Sequence, residues 1–318
     1  MTRYIVQRLL LSLILLWLIA TCLFFFIHLL PGDPAGIILG SSEGSSPTPE
    51  QLATVRRQLG LDRPLLDQYL SYMGGILRGD LGVSLLTGRA VSFDLGLRLS
   101  RTVMLVIPAM ILSSLLGIVL GVSSARVRGG GSDMLISAVG LVGHSLPAFV
   151  TGSLLVLLFS IWLGVLPSSG FIEIEEDPAR FLRYITLPVV TLAIGRIAST
   201  MRMTRMAMVE QYLMDYVRTA RAKGLREQAV VYRHVLRNAL LPVVTVIGLQ
   251  LGNMFAGAMI VEALFNWPGL NSLLLKAVGN RDYPLILGSV LVTSAIFVMI
   301  NLITDLTYAF LDPRIRYE

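Results

Sequence analysis

The polar residues whose types and spacing could do chemical work are concentrated in one basic stretch, residues 202–238. Apolar residues recur through it at helical spacing, from Met206 to Ala220. Lys223 and Gly224 then supply the cation and the glycine that are typical of a helix end. The pattern predicts two short helices joined by a tight turn. Such a pair can lie on anionic lipid or present a docking surface to a soluble partner, and the residues alone leave both open.

Catalytic and metal-binding chemistry has little support in this chain. His28, His144 and His234 are far apart, and His234 has no nearby acid and nucleophile with which to form a catalytic set. Cys22 is the single cysteine, so neither an intrachain disulfide nor a multi-cysteine metal site is expected. The sequence contains no Gly-x-x-x-x-Gly-Lys-Ser/Thr loop, so we expect no nucleotide site of that kind in this chain. We therefore expect no enzyme activity, no bound cofactor and no metal in this chain.

The composition is that of a membrane protein. Of 318 residues, 54% are hydrophobic and 14% are charged, whereas about 25% of residues are charged in soluble domains. The deficit falls in long runs without Asp, Glu, Lys or Arg, as in bilayer-spanning helices. These runs are residues 9–32, 102–125, 134–172, 239–261 and 284–304, with a weaker span at 184–201 that contains Arg196. Because the basic residues lie between the spans, the net charge of +6 reflects topology and does not indicate a nucleic-acid-binding face.

The number of crossings depends on residues 134–172, which are too long for one upright helix and marginal for two. Pro147 could kink a single helix here, and the Gly164–Gly170 region could end it. One helix gives six crossings and keeps most basic residues on the side of both termini, whereas two would place the basic stretch outside. We therefore predict an all-α integral membrane protein with six transmembrane helices and both termini in the cytoplasm.

The predicted organisation has four parts. They are a cytoplasmic N-terminus with the first helix, a small external segment, a five-helix core that includes the loop 202–238, and a cytoplasmic tail, at residues 1–32, 33–100, 101–311 and 312–318. The first apolar run has no A-x-A-like cleavage site, so we interpret it as a retained helix and not as a signal peptide. Within the external segment, a short helix is expected from Thr48 or Pro49 through Leu59, ended by Gly60.

Eight strings, in order, resemble one family of transporters. The stretch DYVRTARAKGLREQAVVYRHVLRNALLPVVT (215–245) closely resembles the cytoplasmic coupling loop of bacterial ABC importer permeases of the dipeptide/oligopeptide/nickel family. The other seven are RYIVQRLLL (3–11), LPGDP (30–34), GDLGVS (79–84), SLPAFVTG (145–152), LFNWPGL (264–270), NRDYP (280–284) and LDPRIR (311–316). ABC importers generally have Glu-Ala-Ala, three residues and Gly in that loop. Here Arg218, Thr219 and Ala220 occupy the leading positions, which resembles the peptide-importer branch.

The resemblance implies a permease subunit of an ATP-driven importer in the bacterial cytoplasmic (inner) membrane. Such a subunit forms half of the pathway for di- or oligopeptides that an external solute-binding protein delivers. It implies as partners a second homologous permease subunit, two cytoplasmic ATP-binding subunits that use ATP and Mg, the binding protein and membrane lipid, but no nucleic acid. Nickel or metal chelates are the alternative cargo. A stand-alone secondary transporter or channel is the alternative class, although internal repeats and mid-membrane ionisable residues, which often mark secondary transporters, are scarce.

Two groups of site residues follow. The resemblance assigns coupling to a partner ATPase to Arg218, Thr219, Ala220, Arg221, Ala222, Lys223, Gly224 and Leu225, with Gly224 allowing a sharp reversal of the chain. Candidate conduit or gate residues are Arg196, Asn280, Arg281 and Asp282. Arg196 could meet a substrate carboxylate, or it could extend toward the basic cytoplasmic edge. Gly117 with Gly121, and Gly248 with Gly252 and Ala256, form small-residue ridges for close helix packing or for sliding.

Overall fold

The computed structural model describes residues 2–29, 48–58, 62–127 and 145–311, with residues 130, 131, 134, 138, 140 and 143 between them. Its helices are α1 (Thr2–Leu29), α2 (Pro49–Gln58), α3 (Leu65–Leu77), α4 (Val91–Arg126), α5 (Ala148–Trp162), α6 (Pro178–Tyr212), α7 (Asp215–Ala222), α8 (Glu227–Leu264), α9 (Leu270–Gly279) and α10 (Tyr283–Leu311). Among these described residues, strand pairing is limited to one bridge between Val83 and Ala90. The all-α prediction is thus confirmed.

Five of the described helices are long and apolar enough to cross a membrane: α1 over Ile5–Phe26, α4, α6, α8, and α10 over Tyr283–Thr307. The first predicted helix is confirmed as far as Leu29. The PGDP string at 31–34 and the predicted tail at 312–318 lie outside the described residues.

The long helices extend well beyond the uncharged runs that predicted them. Asp177 begins α6 by accepting a 3.0 Å hydrogen bond from the Arg180 N–H, and Pro178 occupies the first helical turn. The helix then continues to Tyr212, so residues 202–212 of the predicted loop are the last turns of α6 and not the start of a separate short helix. The physical reason is that Arg202 and Arg205 are good helix formers: they mark a membrane edge without breaking the backbone hydrogen bonds.

Residues 134–172 contain the predicted interruption. Helical residues reach Ser145, the chain is extended at Pro147 (φ −58°, ψ 145°), and α5 follows and ends at Trp162 in a π-helical turn. Gly164 (φ 62°) and Gly170 (φ 117°) then adopt the left-handed backbone conformations that end the segment.

The segment predicted to be external contains more helix than expected. α2 begins at Pro49, as expected, and is described to Gln58, whereas the predicted end at Gly60 lies outside the described residues. α4 begins at Val91, so the predicted boundary at residue 100 falls inside a helix. Charged residues in the first turns of α4 concealed its start, because they interrupt the apolar run without interrupting the helix.

One compact unit comprises residues 1–5, 103–267 and 299–318. In it α6 and α8 run antiparallel: the Phe181 ring near the start of α6 lies 6.1 Å from the Trp267 ring just after α8, and Met208 packs in one cluster with Val230 at the opposite ends. A Cβ on Gly121 of α4 would lie 2.6 Å from the Thr204 Cβ, so the helices approach closely. The predicted small-residue seam is therefore present between α4 and α6.

The other compact unit comprises residues 6–102 and 268–298. Phe24 of α1 packs against Tyr69 and Tyr72 of α3, with ring centroids 5.4 and 5.7 Å away. This burial raises the pKa of Tyr72 to about 12. A second apolar cluster joins the first turns of α4 to α9 and α10 through Val91, Leu95, Leu270, Ala277 and Leu285.

Candidate functional site

The predicted coupling residues form a short helix and turn between two long helices. α7 (Asp215–Ala222) follows the end of α6 and precedes the start of α8. Its buried face consists of Val217 and Ala220. They pack in an apolar cluster (Val122 and Ala125 of α4, Ala207 and Met208 of α6, and Val230, Val231, Val235, Ala239 and Val243 of α8). α7 is therefore held against three long helices by its own hydrophobic face.

The opposite face of α7 and the turn after it are open. The exposed residues are Asp215, Arg218, Thr219, Arg221, Ala222, Lys223, Gly224 and Leu225. Seven of the eight predicted coupling residues are thus exposed, and only Ala220 lies in the cluster below. The large apolar side chains of Leu213, Met214 and Leu225 are also exposed beside the basic ones. An exposed surface that combines basic and apolar groups fits a protein partner.

Gly224 makes the turn that the sequence predicted. Its φ is +74°, in the left-handed region. The Gly224 N–H donates to the Arg221 carbonyl at 2.9 Å, and the Leu225 N–H donates to the Ala220 carbonyl at 3.3 Å. These two bonds are the Schellman arrangement that ends a helix at a left-handed glycine. The chain direction is therefore fixed by the backbone itself at the end of α7.

An ion pair closes the turn from the side. The Arg221 Nη2 and Nε atoms donate to the two Glu227 carboxylate oxygens at 2.6 and 3.2 Å. Arg221 also lies over the Tyr212 ring, with Cζ 5.8 Å from the ring centroid. The hydrogen bond to Glu227 raises the pKa of Arg221 above its ordinary value. Arg221 thus links the end of α6, the end of α7 and the first turn of α8.

The other charged residues of α7 are less constrained. Arg218 and Asp215 form an ion pair of 3.6 Å whose side chains are almost fully exposed. Such a pair in water holds its side chains weakly. Arg218 is consequently available to a partner, whereas Arg221 is engaged within the turn.

The predicted conduit residue Arg196 lies near the middle of α6 and is partly buried. The helix continues past the basic residues Arg202 and Arg205 to Tyr212, so Arg196 is not near the end of α6. About 16 residues at 1.5 Å each place it roughly 24 Å from that end.

The predicted gate residues Asn280, Arg281 and Asp282 form the tight link between α9 and α10. Asn280 caps α9, and Arg281 is left-handed at φ 57°. Asp282 is buried, and its carboxylate accepts hydrogen bonds from the Ser84 hydroxyl at 2.5 Å and the Leu85 N–H at 3.3 Å. The same carboxylate accepts a hydrogen bond from the Leu285 N–H at 3.4 Å, so Asp282 also caps the N-terminus of α10. The carboxylate of Asp282 therefore joins two of the recognised strings, GDLGVS and NRDYP.

Sequence reasoning missed several residues of these sites. Only the pairing of Glu227 with Arg221 had a signal in the sequence, because Glu227 is an acid placed just beyond Gly224 in a basic stretch. Ser84 could not be paired with Asp282 because 198 residues separate them. The contact between Thr200 and Gln250, whose side-chain oxygens are 3.4 Å apart, had no signal in the spacing.

Comparison with known proteins first defines the class, an inner-membrane transport permease. Residues 117–317 match the family described as the binding-protein-dependent transport system inner membrane component, and residues 1–111 match the N-terminal family of the same membrane components. The chain belongs to this family, and the resemblance to ABC importer permeases of the peptide/nickel type is confirmed. It is a multi-pass membrane protein whose relatives are transport permease subunits.

Particular relatives match over the full length of the chain. It is 42% identical over 319 residues to the glutathione transport system permease protein GsiC of Salmonella typhimurium, and the match covers 100% of both chains. It is 42% identical over 318 residues to the protein of the same name from Pectobacterium atrosepticum, and 39% identical over 318 residues to that from Escherichia coli K12, again over 100% of both chains.

A solved structure shares the fold. The crystal structure of an amino acid ABC transporter with histidines superposes with a TM-score of 0.53 at 16% identity, covering 68% of this chain and 92% of that chain. At this identity the likeness supports the transmembrane architecture alone.

Proposed function

We propose that this chain forms half of the translocation pathway of an ATP-driven importer for small peptides, with glutathione as the first cargo to test. The observation that carries the proposal is the full-length similarity, at 42% identity, to permeases named for glutathione transport. Glutathione is a short peptide, so this cargo agrees with the expectation drawn from the strings of the sequence. Nickel or metal chelates remain the alternative cargo of the same pathway.

The proposed topology has six crossings and cytoplasmic termini. Val122 and Ala125 near the end of α4 pack in the same cluster as Met208 near the end of α6. These two helices therefore end on one side, and the chain between them has to cross back once. α5, with the helical residues before Pro147, supplies that sixth crossing. The positive-inside rule then assigns the shared side, and both termini, to the cytoplasm.

The proposed partners are a second homologous permease subunit, two cytoplasmic ATP-binding subunits, an external solute-binding protein and the surrounding lipid. α7 and the Gly224 turn are the proposed contact with one ATP-binding subunit, which uses ATP and Mg. The exposed basic and apolar face of α7 supports this contact. Its packed opposite face supports transmission, because a short helix anchored on α4, α6 and α8 passes a displacement to all three.

Uptake in cells tests the cargo. The chain and its partner subunits are expressed in a bacterium that lacks its own glutathione importer, and uptake of radiolabelled glutathione is measured with and without competing dipeptide or nickel. We expect ATP-dependent uptake that a dipeptide, but not nickel, reduces. Nickel accumulation without glutathione uptake would transfer the proposal to metal cargo. Transport without the ATP-binding subunits would overturn the importer assignment.

A further inference from the structure

Gln250 is a buried polar side chain at the midpoint of the α-helical segment Leu236–Leu264. Only 7% of its surface is exposed. Its Oε1 lies 3.4 Å from the Thr200 hydroxyl of α6. Within the part of the chain that the structure describes, its Nε2 donates to no acceptor, although that atom is fully buried. Buried amide groups are normally satisfied, so this unpartnered donor is a candidate ligand-binding group, which a ligand reaches only when α6 and α8 move apart.

Arg196 lies on the same face of α6 as Thr200, because residues four apart are neighbours on a helix surface. It is partly buried, and none of the described residues forms an ion pair with it. A cation inside a membrane span is costly unless an anion or water meets it. The Arg196 guanidinium and the Gln250 amide are thus two unsatisfied donor groups on adjoining faces of α6 and α8.

Extension of Arg196 toward the cytoplasmic edge is disfavoured by the direction of the helix. Side chains in an α-helix lean toward its N-terminus. α6 starts on the external side in the proposed topology, so the Arg196 side chain leans away from the basic edge at Arg202 and Arg205. The guanidinium then lies toward the middle of the membrane, where an anion is the partner that satisfies it.

We propose that Arg196 and Gln250 form a carboxylate-binding site midway through the translocation pathway, with Thr200 orienting the Gln250 amide. A peptide brings at least one carboxylate to this depth, and an arginine with an amide donor suits that group. The inference rests on the proposed function, since it identifies the chemical class of cargo that the same pathway accepts. A peptide whose carboxylates are all esterified is expected to pass poorly.

A cysteine experiment tests the site without any assumption about cargo. Cys22 is the single cysteine of this chain, so in a Cys22→Ser background an added cysteine is unique within the subunit, whose labelling is measured after it is separated from its partners. In the assembled complex, Gln250→Cys is treated with an anionic and a cationic methanethiosulfonate reagent while ATP is hydrolysed. Val243→Cys, whose position is buried in the apolar cluster of the same helix, is the matched control and should stay unreactive.

Arg196 should attract the anionic reagent to the thiol that Gln250→Cys introduces. We expect the ratio of anionic to cationic reaction rates to fall by about 5-fold or more when Arg196→Gln is added, since removal of a unit charge nearby changes the local potential. The same substitution at Arg202, which is exposed on α6, should leave the ratio unchanged. An unreactive Gln250→Cys variant, or a ratio that Arg196→Gln does not change, would overturn the proposed site.

Transport measurements separate this inference from the proposed function. In proteoliposomes that contain the whole complex, Arg196→Gln should lower glutathione uptake by about 10-fold or more, with Arg196→Lys restoring part of it. Normal uptake by Arg196→Gln would reject the site while leaving the proposed function intact. If the wild-type complex moves no glutathione, glutathione is rejected as the cargo. The ratio of anionic to cationic reaction rates would still show whether Arg196 and Gln250 form an anion-binding site.

Discussion

Arg221 and Glu227 bridge the Gly224 turn through two hydrogen bonds of 2.6 and 3.2 Å, so that the end of α7 is tied to the first turn of α8. The pair is partly exposed, with 47% and 56% of the two side chains accessible. Such a pair adds only about 0–1 kcal/mol to the free energy of unfolding. Its importance is therefore geometric: it keeps a short exposed helix in one orientation relative to a long buried one.

Exchange of the two charges tests this geometric role. We expect Arg221→Glu and Glu227→Arg each to reduce cargo transport per ATP hydrolysed by several-fold, while the thermal midpoint of the solubilised protein changes by only about 1–4 °C. The double exchange should restore most of the ratio, because the pair is rebuilt with reversed polarity. The Arg218→Asp and Asp215→Arg exchange is the comparison: that exposed pair spans no turn, so rebuilding it should not restore transport that a single charge reversal on the partner-facing surface removes. A double variant as impaired as the singles would show that Arg221 acts by contacting a partner.

Gly224 should tolerate only residues that accept a left-handed backbone. A Cβ at this position would meet nothing within 4 Å, so the conformation at φ +74°, and not space, limits substitution. Asparagine adopts this region readily, whereas valine costs roughly 1–2 kcal/mol or more. We predict that Gly224→Asn keeps ATP-dependent uptake within about 2-fold of wild type, and that Gly224→Val hydrolyses ATP without transport. Equal loss in both variants would assign the position to a close partner contact.

The α4–α6 seam should be the most sensitive place for small substitutions. A Cβ on Gly121 would lie 2.6 Å from the Thr204 Cβ and 2.7 Å from the Met201 carbonyl oxygen, so the two backbones would have to separate. We expect Gly121→Ala to lower the free energy of unfolding by about 1–3 kcal/mol. Gly257→Ala in α8 is the control, because a Cβ there meets nothing within 4 Å. Thermal aggregation of the solubilised protein measures both, and equal midpoints would argue against a tight seam.

Asp282 and Ser84 should behave as a coupled pair. Asp282→Ala removes the cap of α10 and leaves the Ser84 hydroxyl and the Leu85 N–H without their acceptor. We expect a loss of about 2–4 kcal/mol for this change and a smaller one for Ser84→Ala. A double-mutant cycle on thermal stability should give a coupling energy of about 1 kcal/mol or more. Additive effects would mean that the carboxylate acts elsewhere, for example on cargo at an external gate.

Much of the fold followed from the sequence because its signals are local. Apolar runs located the five long helices, and the Lys223–Gly224 pair located the end of α7 with its left-handed residue. Helix ends were misjudged wherever charged residues continue a helix beyond its apolar run, as at the start of α4 and the end of α6. A charge sets the position of a helix in the bilayer, but only backbone geometry ends it.

Long-range partners could not be predicted. Nothing in the spacing pairs Thr200 with Gln250, or Ser84 with Asp282, because these contacts depend on how whole helices and loops pack. Trp267 shows the same limit: its string was recognised, but its complete burial against Phe171 and Phe181 is a property of the folded chain. The recognised strings thus identified which residues matter before the structure showed what they contact.

The central claim is that the exposed face of α7 contacts an ATP-binding subunit. In a Cys22→Ser background, Ala222→Cys places a thiol on that exposed face and Val217→Cys places one on the buried face. A short crosslinker with one thiol-reactive and one photoactivated end is reacted with the assembled complex, which is then illuminated with and without ATP. We predict that the Ala222→Cys variant crosslinks to the ATP-binding subunit in an amount that changes with ATP, and that the Val217→Cys variant does not crosslink. No crosslink from Ala222→Cys in an intact complex would contradict the claim and leave α7 as a helix that lies on lipid.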